Sequence, residues 1–308
     1  MVDVIIIGAG TAGLSAAIYV QRSGKRALVL EKLMPGGQIV NTPEVANYPG
    51  IKNISGFDFA SGLLEQATEL GAELEVEEAA KIETFTSEDG KEAKRVVSAS
   101  GKVFEGRAVI IATGAKNRHL GLDKEEKLVG RGVSYCATCD GAFFKGKPVA
   151  VNGGGNTALE DALFLSGYCS KVYLIHRRDA FRGEKDALVR LQSLENVEFV
   201  LNSTITDLVG DKKLEGVQVT DKLTGEVKQI DVDGLFIAIG QEPDNAAFAD
   251  VAELDAAGYV KASEDCTTRT RGVFTAGDCR TKAVRQLTTA ASDGAVAALA
   301  ACAYIGSL

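Results

Sequence analysis

The stretch Val4-Ile5-Ile6-Ile7-Gly8-Ala9-Gly10-Thr11-Ala12-Gly13 decides the fold of this chain, and a similar stretch begins 145 residues later, Val149-Ala150-Val151-Asn152-Gly153-Gly154-Gly155-Asn156-Thr157-Ala158. In each copy an apolar run typical of a buried parallel strand leads into a glycine-rich turn and then into a helical pattern. A second short strand follows each helix, at Arg26–Leu30 and at Lys171–Ile175. The sequence therefore predicts two βαβ units.

Both glycine-rich turns have the spacing of dinucleotide-binding loops. In such a loop the first glycine permits a tight turn, the second lets the backbone approach a pyrophosphate, and the third small residue lets the helix pack on the strand. The helix N-terminus then offers N–H donors and a partial positive charge to the phosphates. Two such loops, each between a strand and a helix, predict two dinucleotide sites.

The residue that ends each second strand distinguishes the two sites. Glu31 and His176 occupy equivalent positions, each 23 residues after the first glycine of its loop. A carboxylate at this position accepts hydrogen bonds from ribose hydroxyls and repels an extra phosphate, so the first site suits FAD or NAD. Three arginines follow His176, namely Arg177, Arg178 and Arg182. Their guanidinium groups match the geometry of phosphate oxygens, so the second site favours NADP over NAD. The alternative is a solvated basic loop.

Further strands mark the edges of the two units. Ala108–Gly114 and Leu235–Gly240 are similar apolar runs ending in glycine, and the alternating polar segments before them, Lys81–Phe104 and Thr204–Val232, predict small antiparallel insertions. The remaining segment, Glu242–Leu308, is too short for a third unit of this kind. We predict an α/β protein with two Rossmann-like dinucleotide-binding domains of three-layer ββα form. The nicotinamide domain, residues 116–241, is inserted into a discontinuous FAD domain, residues 1–115 and 242–308.

A close cysteine pair, Cys136 and Cys139, is followed directly by Asp140. A helix N-terminus can lower the pKa of a thiol in a C-x-x-C motif, and such a pair can cycle between disulfide and dithiol. The neighbouring carboxylic acid can protonate a thiolate. A zinc site would need a second pair, and the other cysteines are scattered singly, so we expect no metal and assign a packing role to Cys169, Cys266, Cys279 and Cys302.

Composition restricts the remaining function classes. The chain has 34 Lys and Arg against 42 Asp and Glu, so we do not expect the basic surface that a nucleic-acid partner requires. The apolar stretch Met1–Val20 has no positive n-region, and no uninterrupted apolar run reaches the length of a membrane span, so we expect a cytoplasmic protein without a membrane partner. Only two histidines are present, which points to carboxylates or thiols for acid–base chemistry.

These motifs, in this order, resemble those of the low-molecular-weight, bacterial-type thioredoxin reductases, which are class II pyridine nucleotide-disulfide oxidoreductases. The resemblance covers essentially the whole chain and includes the shorter motifs Gly36-Gly37-Gln38, Asn47-Tyr48-Pro49-Gly50, Ala112-Thr113-Gly114, Gly277-Asp278 and Arg285-Gln286. It implies FAD and NADPH as cofactors, thioredoxin or a thioredoxin-like protein as the partner, and a homodimer. The implied reaction passes a hydride from NADPH to FAD, then electrons to the cysteine pair, and then reduces a protein disulfide by dithiol exchange.

The resemblance also implies residue roles. It places FAD on Gly8, Gly10, Ala12, Gly13, Glu31, Gly37, Gln38, Asn47, Thr113, Gly114, Asp278, Arg285 and Gln286. It places NADPH on Gly153, Gly154, Gly155, Asn156, Thr157, Ala158, His176, Arg177, Arg178, Arg182 and Ile239. It makes Cys139 the thiol nearest the flavin, Cys136 the thiol that attacks the partner, and Asp140 the acid.

The cysteine pair and the nicotinamide motif lie in the same predicted domain. A rotation of that domain must therefore bring them to the flavin in turn, with hinges at Ala115–Arg118 and Gln241–Asp244. Phe143 and Phe144, beside the pair, either pack beneath the active loop or anchor thioredoxin. The alternative functions are a ferredoxin-linked or oxygen-linked flavin dithiol oxidoreductase and a non-catalytic redox-sensing flavoprotein.

Overall fold

The computed structural model describes residues 1–308 and divides them into two compact units. The first unit comprises Met1–Lys116 and Glu242–Leu308, and the second comprises Asn117–Gln241. The sequence predicts the divisions between residues 115 and 116 and between residues 241 and 242. The two chain crossings, β7 (Ala115–Asn117) and β16 (Gln241–Pro243), pair as a two-stranded sheet.

A parallel sheet extended by an antiparallel meander forms the frame of the first unit. The strand order is β3-β2-β1-β6-β5-β4, and β17 also pairs with β6 in parallel. The long strand β6 joins the two parts, because its first half pairs antiparallel with β5 and its second half pairs parallel with β1. The elements are β1 (Val2–Ile7), α1 (Thr11–Arg22), β2 (Ala27–Glu31), α2 (Gly56–Glu69), β3 (Glu73–Val76), β4 (Ala79–Thr86), β5 (Glu92–Ser98), β6 (Val103–Ile111), β17 (Val273–Thr275) and α7 (Leu287–Gly306).

The second unit repeats this plan with shorter strands. Its parallel sheet has the order β11-β10-β9-β15-β8, and a separate antiparallel sheet has the order β12-β13-β14. The elements are α3 (Glu125–Leu128), β8 (Val133–Ser134), α4 (Ala137–Asp140), β9 (Pro148–Gly153), α5 (Asn156–Ser166), β10 (Lys171–Ile175), α6 (Lys185–Gln192), β11 (Val197–Val200), β12 (Ser203–Val209), β13 (Gly216–Asp221), β14 (Val227–Asp231) and β15 (Gly234–Ala238). The predicted α/β class with two Rossmann-like folds is confirmed.

Burial on both faces explains why β1 is a continuous apolar run. Val4 and Ile6 pack into the cluster that contains residues of α1 and α7, whereas Ile5 and Ile7 pack into the cluster that contains residues of β4 and β5. Strand β9 is divided in the same way, with Val149 and Val151 toward α5 and Ala150 toward the meander. A strand that is buried on both faces carries apolar side chains on both, so its sequence does not alternate between apolar and polar residues.

The C-terminal helix α7 completes the first unit by packing against α1. A Cβ on Gly294 would overlap the carbonyl oxygen of Ala12 and lie 2.9 Å from the nitrogen of Ala16, so the two helices are in backbone contact. Ser15 Oγ donates a hydrogen bond to the carbonyl of Ala291 at 2.7 Å. On length and composition alone α7 is the one helix that could cross a membrane, a test that core helices of globular proteins also pass.

A buried ion cluster fixes α7 to the turn after β17. The Asp293 carboxylate accepts hydrogen bonds from Arg280 at 2.8 Å, from Lys282 Nζ at 2.9 Å, and from the backbone N–H of Gly277 at 3.0 Å. All three side chains are at least nine-tenths buried. Burial alone would raise the pKa of Asp293, but the hydrogen bonds from Arg280 and Lys282 outweigh it and hold that pKa below its usual range. The carboxylate is therefore charged at neutral pH.

Replacing this carboxylate should destabilise the first unit. In Asp293→Ala the buried cations of Arg280 and Lys282 lose their counter-charge, and we expect the free energy of unfolding to fall by about 3–5 kcal/mol at pH 7. Urea denaturation followed by circular dichroism measures the loss. Glu264→Ala is the matched control, because Glu264 is fully exposed and lies 4.0 Å from Arg280; an equal shift in both variants would contradict the assignment of the cluster.

Candidate active site

The first glycine-rich turn is closely packed on the start of α1. Gly8 has φ +107°, and a Cβ on Gly8 would overlap the carbonyl of Ala112, while a Cβ on Gly13 would overlap the carbonyl of Gly8 itself. The N–H of Gly8 donates to the carbonyl of Leu30 at 2.8 Å. These contacts leave no room for a side chain at either glycine, and they direct the N-terminus of α1 toward the end of the sheet.

Gly10 and Gly155 are glycines for a different reason. They precede the first residues of α1 and α5 with nearly the same extended backbone, φ −79° and ψ −174° at Gly10, φ −98° and ψ −175° at Gly155. Any L-residue adopts this conformation. A Cβ on Gly10 would make only an ordinary contact with Gly37, and one on Gly155 would contact nothing. The missing side chains therefore keep space clear at two helix N-termini, where a pyrophosphate would lie.

Glu31 ends β2 beside this first turn. Its Oε2 accepts a hydrogen bond from the N–H of Ala9 at 2.8 Å, and its Oε1 accepts one from the N–H of Leu33 at 3.1 Å. Each carboxylate oxygen keeps a second lone pair that could accept from a ribose hydroxyl. These two bonds fix the Glu31 carboxylate beside the first glycine-rich turn.

The Gly277-Asp278 turn lies against the start of α1, since a Cβ on Gly277 would stand 2.7 Å from Cβ of Ala12. Asp278 Oδ1 is buried and has no hydrogen-bond partner. Burial raises the pKa of Asp278, and the nearby Lys282 and Arg285 oppose that rise. A buried carboxylate oxygen without a donor costs free energy, so this atom fits a ligand that brings a hydroxyl or N–H group. The residues present fit FAD.

The other residues expected at the flavin form two small groups in the same unit. Asn47 Nδ2 donates to Gln286 Oε1 at 3.2 Å, and Gln286 is also the N-cap of α7. Arg285 Nε lies 3.4 Å from the carbonyl of Asp278. Gly37, with φ +70°, and Gln38 begin a short 3₁₀ helix, Gly37–Asn41, and a Cβ on Gly37 would lie 3.0 Å from Cα of Gly10. Gly37 thus borders the first turn, whereas Asn47 and Gln286 lie at the start of α7.

Thr113 and Gly114 follow β6. Asn245, which no sequence motif predicted, links Thr113 to the turn that contains Asp278. Thr113 Oγ1 donates to Asn245 Oδ1 at 2.8 Å, and Asn245 Nδ2 donates to the carbonyls of Gly258 and Cys279. Asn245 is 1% exposed. The only sequence feature that pointed to Asn245 is its position just after the segment in which the chain returns to the first unit.

In the second unit the glycine loop rests on His176. A Cβ on Gly154 would overlap the imidazole ring, which is 5% exposed, stacks on Phe181, and has Nε2 3.2 Å from the carbonyl of Ala180. Burial lowers the pKa of His176, and the neighbouring arginines lower it further against the effect of the Ala180 hydrogen bond. The imidazole is therefore a neutral support beneath the loop and not a cation facing solvent.

The three arginines have a different environment. Arg177, Arg178 and Arg182 are exposed, and none of their side chains pairs with a carboxylate. The backbone N–H of Arg182 donates to the carbonyl of Gly154 at 2.8 Å, which holds this segment against the glycine loop. Asn156 and Thr157 are exposed at the start of α5, Ala158 is buried beneath it, and Ile239 is half-buried just after β15. The arrangement offers unpaired positive charge beside a dinucleotide loop, as a phosphate requires.

Cys136 and Cys139 form a disulfide at the start of α4. Asp140, at the end of α4, accepts a hydrogen bond from Ser134 Oγ at 2.6 Å. Burial raises the pKa of Asp140, and the Ser134 hydrogen bond partly opposes the rise. A carboxyl group with a raised pKa keeps its proton to a higher pH than an exposed carboxyl group, so Asp140 can donate a proton to a sulfur of the pair.

The two phenylalanines after the pair have opposite roles. Phe144 is 9% exposed and packs edge-on against Phe236, whereas Phe143 is 48% exposed. The first therefore supports the active loop from the core, and the second leaves an aromatic ring in solvent beside the cysteines.

A hydrogen-bond network before Cys136 was not predicted. Tyr135 OH donates to the buried Glu125 at 2.6 Å and lies 3.0 Å from Nδ1 of His119. Burial and the Glu125 hydrogen bond raise the pKa of Tyr135. His119 is therefore part of the support of Tyr135, the residue that precedes Cys136. No group of three or more metal-ligating side chains is present that could hold a metal ion.

Two dinucleotide folds and a redox-active cysteine pair define a nicotinamide- and flavin-dependent disulfide oxidoreductase. The model of the pyridine nucleotide-disulphide oxidoreductase family matches residues 2–294, and the chain belongs to that family. Membership makes it an enzyme with FAD and NADPH as cofactors, which confirms the expectation from the sequence.

The chain is similar to curated bacterial proteins over nearly its full length. It is 44% identical to a thioredoxin reductase of Listeria monocytogenes over 307 residues, 99% of this chain and 94% of the relative. It is 41% identical to a thioredoxin reductase of Bacillus subtilis, over 99% and 95% of the two chains. The crystal structure of thioredoxin reductase from Streptococcus pyogenes superposes with a TM-score of 0.94 at 37% identity, covering 100% of this chain and 99% of that one.

The role of Gly10 predicts a variant that folds without its cofactor. Gly10→Ala places a methyl group in the space kept for the pyrophosphate but causes no clash within the protein, so the affinity for FAD should fall roughly 10–100-fold at unchanged secondary structure. Flavin absorbance per protein after dialysis measures this. Gly62→Ala, at an uncrowded position in α2, is the control and should retain FAD; full retention by Gly10→Ala would show that the pyrophosphate lies elsewhere.

Proposed function

We propose that this chain reduces the disulfide of thioredoxin or a thioredoxin-like protein with NADPH, through FAD and the Cys136–Cys139 pair. The observation that carries the proposal is the Cys136–Cys139 disulfide with Asp140 beside it, in the same unit as a dinucleotide loop flanked by three unpaired arginines. The names of the relatives give the partner class.

FAD, when bound, supplies a two-electron relay between a nicotinamide and a disulfide. Its pyrophosphate would lie on Gly8, Gly10 and the N-terminus of α1, and its adenosine ribose on Glu31. Asp278 would accept a hydrogen bond from the ribityl-phosphate part, with Arg285, Gln286 and Asn47 beside the isoalloxazine. Gly153–Ala158 would hold the pyrophosphate of NADPH, and the three arginines its 2′-phosphate.

The chain's own chemistry is a dithiol–disulfide exchange. The Cys136–Cys139 disulfide takes up two electrons and two protons and becomes a dithiol. The Cys136 thiolate then attacks the partner disulfide, which forms a mixed disulfide and releases one partner thiolate. Cys139 attacks Cys136 in turn, the second partner thiolate leaves, and the chain's disulfide closes again. Asp140 donates a proton to the departing partner sulfur, which then leaves as a neutral thiol, and the Asp140 carboxylate takes a proton back from the Cys139 thiol as that sulfur attacks.

The family resemblance gives the two cysteines their separate roles, with Cys139 nearest the flavin. The dithiol and the NADPH loop both belong to the second unit, and the flavin residues belong to the first. A rotation of the second unit about Ala115–Arg118 and Gln241–Asp244 would let each reach the flavin in turn. Short crossings of this kind are where hinge motion concentrates.

The exposed ring of Phe143 supports a protein partner, because an aromatic side chain beside the reactive pair is a common anchor at interfaces. We further propose a cytoplasmic homodimer with no nucleic-acid or membrane partner. Of the alternatives, ferredoxin-linked and oxygen-linked reductases have no use for the exposed arginine cluster. A non-catalytic redox sensor has no use for a second dinucleotide loop.

Removing one thiol should separate the two half-reactions. Cys139→Ser should lose at least 100-fold in thioredoxin reduction, because no intramolecular disulfide can form, while anaerobic NADPH still bleaches the flavin. Stopped-flow absorbance and a coupled thioredoxin assay measure the two steps. Cys302→Ser, at a half-buried free cysteine, should match the wild type. Thioredoxin turnover that survived in Cys139→Ser would remove the pair from the reaction.

Cofactor preference tests the arginines. In the double variant Arg177→Ala/Arg178→Ala the 2′-phosphate loses two charge-assisted hydrogen bonds, so KM for NADPH should rise roughly 10–100-fold, with KM for NADH little changed. Steady-state kinetics with both nucleotides measures the ratio. Arg190→Ala, an exposed arginine on α6, is the control. Parallel changes with NADPH and NADH would mean that these side chains do not read the phosphate.

A further inference from the structure

Ser134 occupies the end of β8, two residues before Cys136, and its side chain is buried, with 5% of the residue exposed. Strand β8 is a two-residue edge strand of the parallel sheet of the second unit and pairs with β15, with Ser134 opposite Phe236. The hydroxyl is therefore held by a strand of the sheet and not by the active loop itself. Rigid elements position functional groups more accurately than loops do.

The Ser134 hydroxyl lies close to three polar groups, which belong to Cys136 and Asp140. Ser134 Oγ accepts a hydrogen bond from the backbone N–H of Cys136 at 3.0 Å. It lies 2.6 Å from Asp140 Oδ2 and 3.3 Å from the carbonyl oxygen of Cys136. A serine has one proton to donate, and the much shorter distance assigns that proton to the carboxylate.

We propose that Ser134 is a positioning residue for dithiol–disulfide exchange: its hydroxyl holds the Asp140 carboxyl and the Cys136 backbone in one fixed relation. This inference rests on the proposed function, because it gives Asp140 the role of the acid. The Ser134 hydroxyl bonds to the backbone of Cys136 and to the carboxyl group of Asp140, so it acts through these two residues. Its bond to a carboxyl group is charge-assisted when Asp140 is ionised.

The hydroxyl also sets the range of pH over which Asp140 holds its proton. Burial raises the pKa of Asp140, and the Ser134 hydrogen bond partly offsets the rise because it stabilises the carboxylate. Without the hydroxyl the pKa of Asp140 rises further. Proton donation is lost as the pH rises through that pKa, so the alkaline loss of activity should move to higher pH.

Other titratable groups near this segment are Tyr135, which bonds to Glu125 and His119, and the carboxylates of α5. A Cβ on Gly141, the residue after Asp140, would lie 2.9 Å from Leu165 and 3.0 Å from Phe164, so α5 packs against the end of α4. On α5 the charged residues are Glu160 and Asp161, and burial together with Glu160 raises the pKa of Asp161 to about 7. Strand β15 and the short 3₁₀ helix Gly141–Phe144 carry no charged residue. Asp161 is therefore the group whose titration must be separated from that of Asp140.

The test uses the holoenzyme and a pair of variants with the same shape. Ser134→Thr keeps the hydroxyl and Ser134→Val lacks it, so the two differ only in the hydrogen bond, and Ser134→Ala adds a smaller hydroxyl-free side chain. NADPH-dependent reduction of thioredoxin is measured from acid to alkaline pH, with flavin content and anaerobic flavin bleaching by NADPH as separate readouts. Asp140→Asn and Asp161→Asn are measured alongside.

We expect Ser134→Ala and Ser134→Val to lose about tenfold in kcat/KM for thioredoxin at neutral pH, because a displaced acid slows the exchange. Their alkaline limb should lie at higher pH than in the wild type, Ser134→Thr should recover most of the rate, and flavin bleaching should be unchanged in all three. Asp161→Asn should leave the alkaline limb in place.

Two results would overturn the inference alone: a wild-type rate and pH profile in Ser134→Val while Asp140→Asn is impaired, or equal losses in Ser134→Thr and Ser134→Val. Full activity in Asp140→Asn would instead overturn the acid role in the proposed function, and the inference with it. If Ser134→Ala retains little flavin, the comparison of Ser134→Thr with Ser134→Val still tests the inference, because the threonine and valine side chains have nearly the same volume.

Discussion

The absence of a side chain at Gly13 is the constraint on which the first unit depends. A Cβ there would overlap the carbonyl of Gly8, so only glycine lets α1 begin directly over the end of β1. That close approach directs the N-terminus of α1 at the position where a pyrophosphate binds, and it brings Ala12 against the Gly277-Asp278 turn. In the second unit the position equivalent to Gly13 is Ala158, and the close approach falls instead at Gly153, where a Cβ would overlap the carbonyl of Ala238 and crowd Ala158 at 2.7 Å. In both units, a helix start packed closely on the end of a strand requires glycine in the loop between them.

Most of the frame follows from patterns that are local in sequence. Strands β1 and β9 are recognisable because both faces are covered, and the glycine loops are recognisable because their spacing is set by a turn and a helix start. Helix α1 begins at Thr11, inside the glycine-rich motif, because the motif residues themselves form its first turn. The sequence pattern marks an apolar face and cannot show that small residues before it are already helical.

The sequence did not reveal side chains whose contact partners are distant in the chain, or side chains of residue types that occur in many other roles. Asp293 lies 13 residues from Arg280 within an alanine-rich helix, and Asn245 meets Thr113 across 132 residues. His176 was grouped with the arginines because it adjoins them, but a strand alternates its side chains, and its ring points under the glycine loop. Ser134 carried a weak signal, a hydroxyl two residues before the pair. Contacts of this kind become visible only when the fold brings them together.

The discontinuity of the first unit has a consequence for how the chain is made. Helix α7 packs on α1, and Ser15 reaches Ala291 across 276 residues, so the first unit cannot close its core until the C-terminus has left the ribosome. The second unit, residues 117–241, is continuous and is released earlier in full. Domains generally fold as units during synthesis. The unit whose synthesis begins first is therefore completed last, and until then the face of α1 that packs on α7 stays uncovered.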